Sequence, residues 1–191
     1  MMSKISDHVA FLTLTLVSLM HMGTNPAPRR ITRDITFREN ISVAAAARRV
    51  RRYLDVSIEE QSRWPSDDAA LEKWRRALEV AGVSVFKDAF KAPNYSGFCL
   101  YDDEFPIIYV NNSNAKTRQI FTLFHELAHI LFHTSGIDTW TDDFIQRLPE
   151  GAKRIETACN SFAAEFLLPA AKYRAEETPE RRLSRRRLHH R

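Results

Sequence analysis

The chain has 191 residues, 44% of them hydrophobic and 27% charged, which suits one medium-sized globular domain with short appendages and excludes fibrous or wholly disordered classes. Its net charge of +4 is unevenly spread: residues 29–52 hold eight arginines against two acidic residues, and residues 180–191 hold six against one. The basic character therefore belongs to the flanks, where a solvated arginine face is a commoner explanation than direct nucleic-acid binding, and the central part is acidic.

Residues 9–20 (VAFLTLTLVSLM) are apolar but too short to span a bilayer. Thr13, Thr15 and Ser18 interrupt them, and no small-x-small cleavage site follows, so a segment packed on the core is expected rather than an export signal. Asn25-Pro-Ala-Pro28 breaks that segment, and the polar, basic stretch to Glu39 has no clear period and reads as a linker. The alanines and arginines of residues 41–54 favour a helix, with Ser42 as its N-cap.

Ser66 or Asp67 caps the next predicted helix, whose apolar positions Leu71, Trp74, Leu78 and Ala81 recur at spacings of three and four before Gly82 ends it. Residues 83–86, 97–101 and 107–110 read as three short strands. Asn111-Asn-Ser-Asn114 is a turn, and a helix over residues 117–133 follows, capped by Asn114 or Thr117 and apolar around its whole circumference. A loop over residues 134–151 leads to a last helix from about Ala152 to Leu168, stopped by Pro169. Residues 176–191 are charged and poor in apolar side chains, the composition of a disordered tail. Together these elements predict an α+β fold, a small and mainly antiparallel sheet packed on helices. Cys99 and Cys159 form no disulfide framework and fit a reducing cytosol, hence a cytoplasmic protein with no membrane partner.

The predicted central helix carries His125-Glu126-Leu-Ala-His129. The H-E-x-x-H spacing puts both imidazoles on one face, able to reach one ion, with Glu126 beside them. An all-apolar helix has no cheap place for three such groups, because burying them unpaired costs several kcal/mol each. A Zn2+ ion satisfies the histidines, and Glu126 can accept a proton from the water it activates. A third protein ligand is then required. His133 is too far along one straight helix, about 12 Å from His125 at ~1.5 Å per residue, and is expected to cap the helix end instead. Glu156 is the better candidate, since Glu156, Asn160, Ala163, Ala164 and Leu167 share one face of the last helix. Small side chains there allow a close crossing, and Asn160 could hydrogen-bond a zinc ligand. Asp142, Asp143 and Glu150 remain competitors, and Glu165 should point away.

His125-Glu-Leu-Ala-His129 followed by Glu156-Thr-Ala-Cys-Asn160-Ser-Phe162-Ala163 and Pro169 resembles the ImmA/IrrE family of zinc metallopeptidases, which share E-x-x-x-N-x-F-A-x-x-L-L-x-P after the H-E-x-x-H helix. The likeness covers about residues 64–170. It implies a zincin-like core in which His125, His129 and Glu156 hold zinc and Glu126 is the general base and later the proton donor. It divides the chain into an N-terminal part (1–63), a metallopeptidase domain (64–172) and a basic tail (173–191). It also implies a protein substrate, a helix-turn-helix DNA-binding repressor governing stress, mobile-element or toxin–antitoxin genes. Strand 107–110 could then be the edge that binds an extended peptide, or an ordinary sheet strand. Tyr101, Tyr109 and Arg118 are candidates for the oxyanion-stabilising group. The alternative is a non-enzymatic regulator, with a structural or vestigial zinc site, that binds a repressor or DNA.

Overall fold

The computed structural model describes residues 29–38, 40–89, 95–139 and 148–170. Residues 9–20, Asp142, Asp143 and residues 176–191 lie outside them, so the expectations placed there are not addressed by the fold. The elements in chain order are α1 (Ile31–Asp34), α2 (Val43–Leu54), α3 (Ile58–Gln61), α4 (Asp67–Val80), β1 (Ser84–Asp88), β2 (Tyr95–Leu100), β3 (Ile107–Asn111), α5 (Lys116–Leu131), β4 (Gly136–Thr139) and α6 (Glu150–Leu167). Among the described residues no helix is long and apolar enough to cross a membrane.

The fold is α+β, with four strands in the order β1-β3-β2-β4. β1 runs parallel to β3, while β2 is antiparallel to both β3 and β4. β3 therefore lies inside the sheet, which decides between the two readings of this strand in favour of an ordinary sheet strand rather than an edge. β4 was expected as loop. Its Gly-Ile-Asp-Thr sequence carries little strand propensity, and its pairing to β2 is a tertiary contact that local sequence does not encode.

Strand alternation sends Val85, Cys99, Ile108 and Val110 into one buried cluster with Leu123, Leu127 and Ile130 of α5. α6 crosses α5, and α4 and α2 close the other sides. Trp74, read from helical spacing, joins three helices: its ring centroid lies 4.9 Å from Phe124 and 5.3 Å from Phe166. Ser66 caps α4 by accepting from Ala69 N at 3.2 Å, and Gly82, at φ 86°, follows its end, as the sequence suggests. α5 differs, since Ala115 holds the N-cap position without a side-chain bond. Ser42 likewise precedes α2 without capping it.

Arg51, in the last turn of α2, reaches the end of α6. It donates to Phe166 O, to Gln61 Oε1 at 2.8 Å and to Val56 O at 3.2 Å, and its guanidinium lies 4.4 Å above the Phe166 ring. Burial lowers its pKa to about 10, so it still carries its charge at the helix C-terminus, where a cation interacts well with the last carbonyls.

The stretch read as a linker is part of this core. Ile31, Ile35 and Phe37 are at most 4% exposed. Phe37 N donates to Leu131 O at 2.7 Å, and its ring packs edge-on against Phe132 and Phe162. One helical turn followed by extended backbone gives these apolar residues neither the 3.6 nor the 2 period, which is why no pattern announced them. Phe37→Ala is expected to destabilise the protein by about 3–5 kcal/mol in urea unfolding; a loss below about 1 kcal/mol would mean that the segment is not core.

Candidate metal centre

His125, Glu126 and His129 occupy the middle and last turn of α5, and all three are at most 3% exposed. α6 brings Glu156 to them: Oε2 lies 3.4 Å from His125 Nε2, and Oε1 lies 3.2 Å from His129 Nε2. The two Nε2 atoms are 3.2 Å apart, and one ligand atom from each of the three residues falls within 4.8 Å of the others. The pair of helices brings them together because Glu156, Asn160 and Ala163 form the inner face of α6, and Ala163 is fully buried against α5. His125 Nδ1 meets Asn160 Oδ1 at 3.0 Å, the contact expected of that amide. An amide oxygen only accepts, so the His125 proton is on Nδ1 and its Nε2 turns a lone pair toward Glu156.

The sheet side is shaped by small residues. Thr122, Glu126 and His129, at i, i+4 and i+7, share a helix face. A Cβ on Gly97 would fall 2.6 Å from Thr122 Cγ2, and one on Gly136 would fall 2.9 Å from the His129 ring. Between those glycines, Cys99 lies beside Glu126, and its thiol is pushed well above the usual range by burial first and then by Glu126. Burial, with the charges of Glu156 and Glu126, does the same to Cys159 on α6. Both thiols are free and buried, which makes them neutral neighbours of the carboxylates rather than nucleophiles. These contacts were not read from the sequence; the spacing Gly97-x-Cys99 beneath a helix gave no signal without the pairing of β2 to β4.

Burial opposes ionisation of Glu156, but the neighbouring imidazoles of His125 and His129 outweigh it and hold the carboxyl down to about 2. Two imidazole nitrogens and an ionised carboxylate thus point at one small volume, with His125 Nε2 unable to donate. Such a set of converging nitrogen and carboxylate acceptors fits a divalent cation.

His133 is not in this group. It sits one step past the helix end at φ 57°, stacks on Tyr101 and lies 3.3 Å from Thr36 Oγ1, so its backbone rather than its ring ends α5. Glu150 is exposed in the first turn of α6, and Glu165 accepts from Ala170 N at 3.2 Å, away from the cluster. Tyr101 donates to Asp103 Oδ1, and Tyr109 stacks between Phe86 and Phe98 on the sheet face opposite α5. Arg118 donates to Ser96 Oγ at 3.0 Å and lies over Phe121.

A mixed sheet under a buried helix bearing two histidines, crossed by a helix that supplies a glutamate, defines a metallopeptidase-type core. The chain belongs to the peptidase family described as the IrrE N-terminal-like domain, which matches residues 78–191. No curated protein matches the chain.

Two substitutions probe the centre. Glu156→Ala should abolish stoichiometric metal uptake measured by elemental analysis of the purified protein. Gly136→Ala, which forces the His129 ring to move, should weaken metal binding by roughly 10-fold or more in chelator competition; unchanged affinity would show that the ring position is not critical.

Proposed function

We propose that the chain is a zinc-dependent endopeptidase acting on a protein substrate, and that the substrate is a helix-turn-helix transcriptional repressor. The observation that carries the activity is the convergence of His125, His129 and Glu156 within 4.8 Å, next to the fully buried Glu126. The substrate class rests on the family to which the chain belongs. Among the described residues the cluster numbers three, the count of protein ligands in catalytic zinc sites, whereas structural sites use four.

His125, His129 and Glu156 would hold the zinc, which when bound would supply Lewis acidity to a carbonyl and lower the pKa of a water toward ~7. Glu126 takes the proton of the attacking water and returns it to the amine nitrogen as the peptide C–N bond breaks. Glu126 is fully buried beside Cys99, which limits the access of bulk water to the carboxyl. Glu156 stays ionised at neutral pH and balances the charge at the site. Asn160 holds His125 by its Nδ1–H, which fixes the ring's direction.

With β3 internal, an extended substrate would pair with the outer edge of β4, which among the described residues is hydrogen-bonded only to β2. Gly136 of β4 lies against the His129 ring, so a peptide on that edge passes beside the metal ligands.

Glu126→Gln should keep one zinc per chain while cleavage of a helix-turn-helix repressor substrate falls by about 10²- to 10⁴-fold. Gel analysis of the repressor with parallel zinc determination checks both halves. Undiminished proteolysis by Glu126→Gln would remove the mechanism, and stoichiometric repressor binding without a cut would favour a non-enzymatic role.

A further inference from the structure

The end of α5 is built on the carbonyl of the second histidine. Thr134 N donates to His129 O at 3.0 Å, and His133 N donates to Ile130 O at 2.9 Å, with His133 in the left-handed conformation. This double closure ends the helix through backbone alone. The Thr134 hydroxyl then adds a bond of its own, donating to His129 O at 3.1 Å. A hydroxyl has one proton, so toward any other partner Thr134 Oγ1 can only accept. The other group it meets is His129 Nδ1, at 3.3 Å.

We propose that Thr134 is a positioning residue that selects the metal-ready tautomer of His129, with the proton on Nδ1 and the lone pair on Nε2; the proposal rests on the reading that His125, His129 and Glu156 hold zinc. Without such a partner the opposite tautomer has much in its favour. A proton on His129 Nε2 could be given to Glu156 Oε1 or to His125 Nε2, each 3.2 Å away, and that proton would occupy the position of a cation. A neutral imidazole carries its proton on one nitrogen only, so an acceptor at Nδ1 removes this alternative.

The two histidines are thus set by different devices. His125 is held from the neighbouring helix by the Asn160 amide, and His129 from the turn that ends its own helix. Gly136 completes the arrangement for His129: backbone lies so close to Cδ2 and Cγ that a Cβ there would come within 2.9 Å, which limits the room for the ring to turn away from Thr134.

Long-range 15N–1H spectra of the metal-free, full-length protein read the tautomer directly, without turnover. The wild type is expected to show His129 protonated on Nδ1; protonation on Nε2 overturns the proposal whatever the variants do. Thr134→Val keeps the backbone closure of the helix but removes the acceptor. It should shift His129 toward the Nε2–H form and weaken zinc binding about 10-fold or more, measured by competition with a chromophoric chelator. Thr134→Ser should restore both readings. A Thr134→Val protein with the wild-type tautomer and zinc affinity overturns the role of Thr134 while leaving the zinc site intact. Failure of the wild type to bind zinc would instead overturn the site itself, and the metal-free tautomer would still decide the claim about Thr134.

Discussion

Two imidazoles and two carboxylates lie where water barely reaches, and the surrounding elements are arranged to make that tolerable. His125, Glu126 and His129 are nearly or fully buried on a helix whose remaining inner surface is Leu123, Phe124, Leu127, Ala128 and Ile130. Left without partners, such groups would cost several kcal/mol each, a large share of the ~5–15 kcal/mol by which a domain is stable. Partners arrive from three directions: Glu156 and Asn160 from α6, Cys99 from the sheet, and Thr134 from the turn that closes α5. A bound cation would complete the set, because the group that faces inward is rich in acceptors and poor in donors.

The rest of the fold holds those partners at hydrogen-bond range. Gly97 and Gly136 let β2 and β4 approach the helix more closely than any side chain would allow. Trp74, Phe124 and Phe166 lock α4, α5 and α6 together, and Arg51 secures the far end of α6 through the Phe166 carbonyl oxygen. Phe37 closes the end of α5 from the N-terminal segment. A metal site needs its ligands placed to within about half an ångström, and rigid elements packed on several sides supply that precision better than loops do.

Much of the centre was legible in the chain itself. His125, Glu126 and His129 follow from a spacing of one helical turn, and Glu156 and Asn160 from a spacing of one turn on a second helix with small residues on the same face. Those are periodic patterns, and periodicity is what a helix imprints on sequence. The helices α4, α5 and α6 and the strands β1, β2 and β3 were legible within a few residues for the same reason. The core role of residues 31–37 was not, because an irregular segment imprints no period even when Ile31 and Phe37 are buried.

By itself, then, the sequence determined which side chains could hold a cation and that the fold is α+β. Only the tertiary structure decided the supporting geometry. It placed β3 inside the sheet and β4 at one of its edges, and it set Gly97, Cys99 and Gly136 under Thr122, Glu126 and His129. It also turned Thr134 from a loop residue into a neighbour of a histidine ring nitrogen. The physical reason is the range of the interactions. Helix periodicity and H-E-x-x-H spacing are local, so a short window contains them, whereas strand order, close backbone approach and ring orientation depend on contacts between residues far apart in the chain.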